Sequence, residues 1–439
     1  MAGPDFAFML RALRHRNYRL WFAGQLVSLI GTWMTEVATS WLVYRLTGSA
    51  LMLGAVTFAG QIPAFALSPF SGILVDRLDK RRLLLVTQSL SMLQSLTLAA
   101  LTFSGRISVH ALIALNAFEG VVNAFDMPCR HAFVPTMVDD KADLSNAIAL
   151  NSSMFNAARI IGPSIGAVII ATIGEGGCFL VDGLSFIAVL GGLWAMNVPP
   201  SEDRRRARMS PLAEVREGWG YAYRSMPIRA IILLMAAMSL FGGSYGVLVP
   251  VFARKVFHGG PRVLGLLMTC SGAGALLGAA YLASRRTVRG LAGLVPAAGA
   301  LFGASVVAFA YARGLAVAAP LLTLAGAGLI TMYASSNTII QTIVDEDKRG
   351  RVMGLFLMAF LGAAPVGSVA AGWLADRFGA RVTLGSFGLV CLASCAAFWA
   401  ALPAIRAAMR PIYVRKGIIP QVAEGLSSTA ELETPPEQR

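Results

Sequence analysis

Four ionisable side chains lie within stretches of the sequence that are otherwise apolar: Glu36, Glu119, Arg159 and Asp182. A charge in apolar surroundings is costly, so such residues are candidates for function. A carboxyl group in this setting can bind and release a proton. We therefore expect Glu36 either to exchange a proton or to contact a cationic ligand. The alternative is a carboxyl group held by hydrogen bonds to neighbouring threonines.

Glu119 and Arg159 lie near the middle of consecutive apolar stretches. Either charge alone would cost several kcal/mol there, so the simplest expectation is a buried ion pair between them. The pair would be either structural or part of a coupling mechanism. Asp182 lies closer to the end of its stretch, where we expect it to reach the polar boundary or to cap its helix.

The apolar stretches themselves indicate a membrane protein. Of the 439 residues, 56% are hydrophobic and only 14% are charged, whereas soluble domains carry about 25% charged residues. A helix needs about 20 apolar residues to cross a bilayer. Twelve stretches of that length occur, as six, a polar linker and six more. They begin near Tyr18, Leu51, Leu83, Val109, Ala147, Cys178, Ala230, Val263, Leu291, Leu315, Val352 and Val382.

Lysine and arginine residues are distributed unevenly between alternate loops. Of the 37 such residues, 28 fall in the tails, the linker and the loops on the same side, eight fall in the opposite loops, and one is Arg159. The positive-inside rule therefore predicts that both termini and the linker are cytoplasmic, in a bacterial-type inner membrane. This distribution explains the net charge of +14 without a nucleic-acid partner.

These patterns divide the chain into five segments. A cytoplasmic tail (1–17) precedes the first six-helix half (18–199). The cytoplasmic linker (200–229) contains apolar residues at helical spacing, which predicts an amphipathic helix at the membrane surface. The second six-helix half (230–403) is followed by a cytoplasmic tail (404–439) that we expect to be largely disordered.

Motifs for metal or nucleotide chemistry are absent from the sequence. It contains no HExxH or Walker A motif, and its four histidines are dispersed. We therefore expect neither an enzyme nor a bound metal or other cofactor, and we expect no direct use of ATP.

A charged segment, GILVDRLDKRR at 72–82, ends the second apolar stretch. Asp76 would lie at a helix C-terminus, where the macrodipole disfavours an anion, so it needs a cationic partner or the N-terminus of another helix. The segment resembles the cytoplasmic loop motif of the major facilitator superfamily, G-x-L-x-D-R-x-G-R-R, with Asp-Lys in place of Gly-Arg. The resemblance implies a cytoplasmic gate motif formed by Gly72, Asp76, Arg77 and Arg81.

Two further segments repeat features of that superfamily. The segment GPSIG at 162–166 is similar to the GPxxGG signature of drug/proton antiporters. In it Pro163 bends the helix, while Gly162 and Gly166 permit close helix packing. A second copy of the loop motif, GWLADRFGAR at 372–381, follows the eleventh stretch. The predicted topology puts this copy outside, as an inverted repeat would.

Segments 31–49, 126–152 and 341–352 narrow the resemblance to the twelve-span exporter branch that includes enterobactin and macrolide exporters. The resemblance covers residues 8–405 and implies an all-α fold of two six-helix halves with a site between them. It also implies a secondary active transporter, driven by the proton gradient, that exports a small amphiphilic compound, a drug or a siderophore. Expected partners are that small molecule and the lipid bilayer, and the protein is expected to be a monomer.

Three other functions remain compatible with the residues. The same fold performs solute uptake and lipid translocation, and a non-transporting membrane scaffold or sensor is a different class. The fourth stretch departs from the antiporter pattern, because Asn116 stands where an arginine is usual, followed by Glu119 and Gly120. The coupling route therefore stays open at this point.

Overall fold

The structure is a computed structural model that describes residues 10–197, 219–285, 287–346 and 348–416. Within these ranges it contains twelve long helices and no strand, so the predicted all-α class is confirmed. The predicted amphipathic linker helix falls mostly outside the described residues, as does the polar tail. The helices are α1 Arg16–Thr47, α2 Ala50–Arg77, α3 Lys80–Phe103, α4 Val109–Phe133, α5 Leu144–Thr172, α6 Glu175–Ala195, α7 Met226–Val256, α8 Pro261–Ala283, α9 Leu291–Ala310, α10 Leu315–Ile343, α11 Arg349–Phe378 and α12 Ala380–Arg415.

Side-chain caps start several of these helices immediately after short turns. Ser49, Asp79 and Ser108 each accept a hydrogen bond from the backbone N–H three residues later, at the starts of α2, α3 and α4. Such a cap satisfies a donor that has no partner within the helix. Gly48 ends α1 with φ of +63°, a conformation that glycine adopts readily. Consecutive helices therefore reverse direction within a few residues.

Eleven of the twelve helices, all except α4, are long and apolar enough to cross a membrane. The exception has the length, but its hydropathy is lowered by polar residues that include Glu119, Asp126 and Arg130. Those charges lie inside the bundle, as described below. We call the side on which α1 begins and α12 ends the inner side, which the charge pattern predicts to be cytoplasmic, and we call the opposite side the outer side.

The helices form two halves that meet along two lines. In the first half α1 packs on α6 and α5, and α2 packs on α4. In the second half α10 packs on α8 and α9, and α12 packs on α9. The halves join through α2 with α11 and through α5 with α8. This pairing leaves room between the two lines of contact for a central site.

Glycines allow backbones to touch where helices cross. A Cβ added to Gly274 of α8 would overlap the carbonyl oxygen of Thr323 in α10, and one added to Gly326 of α10 would overlap the carbonyl oxygen of Ser271. In a membrane such contacts take the place of the hydrophobic effect between helices.

Replacing Gly274 by alanine should lower the thermal stability of the detergent-purified protein. The methyl group would force α8 away from α10, and overpacking of this kind costs about 1–3 kcal/mol. The matched control is Gly191→Ala in α6, where nothing lies within 4 Å of the added Cβ. Equal unfolding midpoints for the two variants would contradict this account of the α8–α10 contact.

The helix α7 is irregular along its length. It contains two π-helical stretches, Met238–Gly242 and Phe252–Val256. A turn at Gly243 and Ser244 separates the first stretch from the outer part of the helix. Wide helical turns of this kind mark functional positions more often than regular helix does.

The last helix continues beyond the predicted end of the second half. The predicted boundary at 403 falls inside α12, which runs through Pro403 and Pro411 to Arg415. The side chain of Lys416 then donates hydrogen bonds to the carbonyl oxygens of Thr342 (2.7 Å) and Val344 (3.2 Å). Contact with the end of α10 therefore orders residues that composition assigned to a tail.

Candidate functional site

On the outer side the two halves are joined by Asp376, at the end of α11. Its carboxylate accepts hydrogen bonds from Ser49 Oγ (2.5 Å) and from the backbone N–H groups of Ala50 (2.8 Å) and Leu51 (3.0 Å). These donors form the N-terminus of α2, where the helix dipole favours an anion. The second copy of the loop motif thus binds one half to the other.

Two cations of α7 reinforce the outer contact. Arg254 Cζ lies 5.8 Å from the ring centroid of Trp41, and Lys255 Nζ lies 5.8 Å from that of Tyr44. Ser164 of α5 also lies 2.8 Å from Thr269 of α8, Oγ to Oγ1, in the middle portion of the helices. The halves are therefore joined on the outer side of the space between them.

Glu36 lies in this space, on a face of α1 that neither α5 nor α6 covers. Its side chain is exposed, and Arg159 of α5 acts on it electrostatically. The guanidinium carbon of Arg159 lies 5.7 Å from the ring centroid of Trp33, which itself packs edge-on against Phe155 at 5.7 Å. An anion, a cation and two aromatic rings thus share one region, which suits an amphiphilic ligand with polar groups of either sign.

The ion pair predicted between Glu119 and Arg159 is not formed. Glu119 Oε1 accepts hydrogen bonds from Ser91 Oγ (3.0 Å) and Asn123 Nδ2 (3.1 Å), so the carboxyl group points towards α3. Arg159 instead lies over Trp33 of α1. The prediction was wrong because depth in the membrane was known from the sequence, whereas the direction in which each helix faces was not.

Asp182 neither caps its helix nor reaches the boundary, contrary to the prediction. Its side chain is 2% exposed. Its Oδ2 accepts hydrogen bonds from Ser95 Oγ of α3 (2.7 Å) and Thr35 Oγ1 of α1 (2.9 Å). Gly31 makes room for the other oxygen, since a Cβ there would lie 2.6 Å from Oδ1. The close approach of α1 to α6 encloses this carboxyl group.

Sequence reasoning missed a third buried carboxyl group, that of Asp126 in α4. Its Oδ1 accepts hydrogen bonds from Thr87 Oγ1 (2.7 Å) and Gln88 Nε2 (2.8 Å) of α3. Its Oδ2 forms a salt bridge with Arg130, one turn further along the same helix. Arg130 also donates to Gln25 Oε1 of α1 at 3.1 Å. The signal in the sequence was the Asp–Arg spacing of four residues, which brings opposite charges together on a helix.

The glycine motif of α5 lies at a junction of three helices. A Cβ on Gly162 would lie 2.5 Å from Trp33 Cβ, and one on Gly166 would lie 3.2 Å from Met34 Cα, both in α1. On the other side, a Cβ on Gly265 of α8 would lie 2.7 Å from the carbonyl oxygen of Pro163. The motif therefore lies where the first half contacts the second.

The residues of the predicted gate motif lie around the inner end of α2. Positions 72–77 belong to the last turns of α2, and Arg77 is exposed. Arg81 donates hydrogen bonds to the carbonyl oxygens of Leu193 (2.8 Å) and Trp194 (2.7 Å). A cation at the C-terminus of α6 is favourable for the helix dipole, so Arg81 fastens the start of α3 to the end of α6.

Sequence comparison relates the chain to membrane transporters. A family model described as a transmembrane secretion effector matches residues 8–423. The staphyloferrin A transporter of Staphylococcus aureus (strain NCTC 8325 / PS 47) is 28% identical over 375 residues, which are 84% of this chain and 92% of that protein. The multidrug efflux pump Tap of Mycolicibacterium fortuitum is 26% identical over 82% of this chain and 89% of its own. The macrolide efflux protein A of Streptococcus pyogenes is 22% identical over 86% of this chain and 94% of its own.

Solved structures share the fold at low identity. A bacterial homologue of the human lysosomal transporter Spinster, in an inward-facing and unoccupied conformation, matches with a TM-score of 0.71 and 15% identity, covering 93% of this chain and 99% of that chain. The nucleoside transporter NupG matches with a TM-score of 0.66 and 16% identity, covering 88% of this chain and 98% of its own. Their arrangement of helices is that of the chain described above.

Proposed function

Because this chain belongs to the transmembrane secretion effector family of the major facilitator superfamily, we propose that it exports a small amphiphilic compound, a drug or a siderophore, in exchange for protons. The family expected from the loop motif is confirmed, and the chain is a multi-pass membrane transporter. The direction of transport, the coupling ion and the cargo are the proposal.

The observation that carries the proposal is the position of Glu36 beside Arg159 and Trp33 in the space between the halves. Transporters of this architecture bind substrate between their halves near the middle of the membrane. With the outer side closed, we propose that the site is open to the inner side, from which an exporter loads its cargo. Binding of a proton to Glu36 would remove the negative charge that a cationic group of the cargo requires. The proton and the cargo therefore compete for Glu36.

Release on the outer side requires the contact at Asp376 to open and the inner side to close. We propose that the gate motif closes the inner side in that state, as Asp376 closes the outer side in this one. The lines of contact between α2 and α11 and between α5 and α8 would persist in both states, with Gly162, Pro163 and Gly166 at the second line. Both termini would be cytoplasmic, since the inner side carries the basic loops.

The named relatives guide the choice of cargo. One is called a staphyloferrin A transporter, another a macrolide efflux protein and a third a multidrug efflux pump. Staphyloferrin A and the macrolide erythromycin are therefore the first probes to test.

Replacing Glu36 by glutamine should abolish proton-coupled export. In everted membrane vesicles energised to an acidic interior, adding a transported probe to the wild type releases protons, which a pH-sensitive dye reports. The variant keeps the shape of the side chain and loses its charge, so we expect proton release to fall at least about ten-fold, the loss typical of a residue that handles a proton.

The matched control for this experiment is Glu346→Gln. Glu346 is a carboxylate of the inner loop with 89% of its side chain exposed, and its replacement should leave proton release unchanged. Proton release by the Glu36→Gln variant at the wild-type level would exclude the proposed role of Glu36. If neither staphyloferrin A nor erythromycin nor a wider panel of toxic compounds moved protons through the wild type, proton-coupled export itself would be wrong.

A further inference from the structure

A polar face runs along α3 through the interior of the first half. It consists of Thr87, Gln88, Ser91, Gln94 and Ser95, each no more than 5% exposed. Their spacing places them on one side of the helix over about two turns. Five buried polar side chains in a membrane helix are costly unless they find partners, so the face points to a function of the groups that it touches.

Each turn of this face binds one carboxyl group. Ser95 donates to Asp182 of α6, Ser91 to Glu119 of α4, and Thr87 to Asp126 of α4. The three donors are four residues apart, which is about 6 Å along the helix axis. One water molecule between serine hydroxyls spans such a step. The carboxyl groups therefore form a series from the outer part of the first half towards its inner end.

Two of the three carboxyl groups are built to hold a proton. Glu119 Oε2 and Asp182 Oδ1 are buried without a hydrogen-bond partner. Among the described residues, no Lys, Arg or His forms a salt bridge with either of them. An ionised carboxylate would leave a buried charge uncompensated, whereas a carboxylic acid would not. Asp126 differs, because Arg130 compensates its charge at the inner end of the series.

The charged groups around the series are few. Those acting on Glu119 are Asp126, Asp182 and Arg130. Around Asp182 the neighbours on α1 and α3 are Thr35, Ser95 and the backbone of Gly31. Since like charges repel, a proton on one carboxyl group makes it easier for the next to ionise, and occupancy can pass along the series.

We propose that the polar face of α3, with Asp182, Glu119 and Asp126, carries a coupling proton through the first half, in addition to the proton that competes with the cargo at Glu36. One carboxyl group gives its proton to the hydroxyl group bound to it, which passes its own proton to the water in the step. The water passes a proton to the next hydroxyl group, and that group gives its proton to the next carboxylate. Each hydroxyl group and each water ends with the number of protons that it had at the start. This inference rests on the proposed function, because it assigns the route of a second proton that drives export.

The first helix connects the relay to the cargo. Thr35 donates a hydrogen bond to Asp182 (2.9 Å), while the adjacent Glu36 is exposed in the space between the halves. Loss or gain of a proton at Asp182 changes the strength of the bond from Thr35 and so the position of α1. Proton occupancy in the interior is thereby transmitted to the residue next to the cargo.

Infrared difference spectroscopy of the purified full chain in lipid nanodiscs tests the relay without any cargo. A protonated carboxyl group has a C=O stretch distinct from that of a carboxylate. We expect the wild type to show such bands at neutral pH, and we expect Glu119→Gln and Asp182→Asn each to remove one. The Glu346→Gln control should remove none, because that side chain is in water. Unchanged bands in both relay variants would overturn the proposal.

Proton release in vesicles provides the second readout, with erythromycin and staphyloferrin A as probes. Ser91→Ala removes one hydroxyl and no carboxyl group, so it tests the connection even if a carboxyl variant fails to fold. We expect a drop of at least ten-fold in proton release for Ser91→Ala, with the infrared bands retained. Wild-type proton release in Ser91→Ala and Glu119→Gln would overturn the relay and leave proton-coupled export standing. Absence of proton release in the wild type would overturn export itself.

Discussion

Replacing Asp376 by asparagine should shift the protein towards the state that is open on the outer side. The carboxylate accepts three hydrogen bonds from the first residues of α2. Asparagine has a single acceptor oxygen and no charge, so it loses the interaction with the helix dipole and at least one hydrogen bond. The combined loss is about 2–3 kcal/mol, which changes the ratio of the two states by roughly 30- to 150-fold.

Distances between spin labels report this shift directly. Met127 of α4 and Gln341 of α10 are exposed near the inner ends of opposite halves, and labels there should approach each other when the inner side closes. Leu46 and Phe378 are exposed at the outer ends of α1 and α11, and labels there should separate. A single distance distribution, identical in the wild type and in Asp376→Asn at both pairs, would refute the role of Asp376.

The matched control for Asp376 is Asp79→Asn. Asp79 also accepts a hydrogen bond at a helix N-terminus, from the backbone N–H of Arg82 at 2.8 Å. Both residues belong to the first half. Its replacement should cost about 1 kcal/mol of stability, as the loss of a cap does, and should leave both distances unchanged. The comparison separates the loss of a cap from the loss of a contact between halves.

Replacing Asp126 by leucine should destabilise the first half severely. Breaking a buried ion pair by removing one partner costs about 3–5 kcal/mol. Asp126 is 2% exposed, and its loss would leave Arg130 without its carboxylate partner and remove the acceptor that Thr87 and Gln88 share. The expected result is a fall of that size in the free energy of unfolding, measured by denaturation in mixed micelles.

The double variant Asp126→Leu/Arg130→Met removes both charges and should recover at least half of that loss, since apolar side chains can replace a buried pair. The control is Glu346→Leu, which breaks the exposed pair with Arg349 (3.8 Å) and should cost less than about 1 kcal/mol. A double variant as unstable as the single one would show that the hydrogen bonds to α3, and not the unpaired cation, account for the loss.

The architecture was accessible from the sequence because a bilayer constrains it strongly. Length and hydropathy identify membrane helices, and the motif at 72–82 indicated the family. The irregularity of α7 and the continuation of α12 past Pro403 were not predictable, because each depends on tertiary contacts. The acidic and polar residues of α4 lowered its hydropathy. The lysines and arginines of the neighbouring loops nevertheless indicated that α4 crosses the membrane.

The internal charges show where sequence reasoning ends. Hydropathy gave the depth of Glu119 and Arg159, but pairing depends on rotation about each helix axis. Rotation placed Glu119 against Ser91 of α3 rather than against Arg159. The polar face of α3 was legible in its spacing from Thr87 to Ser95, but only the structure shows that each turn meets a carboxyl group.

The two wide turns of α7 give its winding a consequence for the outer contact. A π-helical stretch holds one residue more than the regular turn that it replaces. Rewinding Met238–Gly242 into regular α-helix would therefore turn the outer part of α7 by about 100° around its own axis. Arg254 and Lys255 would then leave the rings of Trp41 and Tyr44, whose centroids each lie 5.8 Å away at present. A twist of this one helix would thus remove both cation–ring contacts from the outer side.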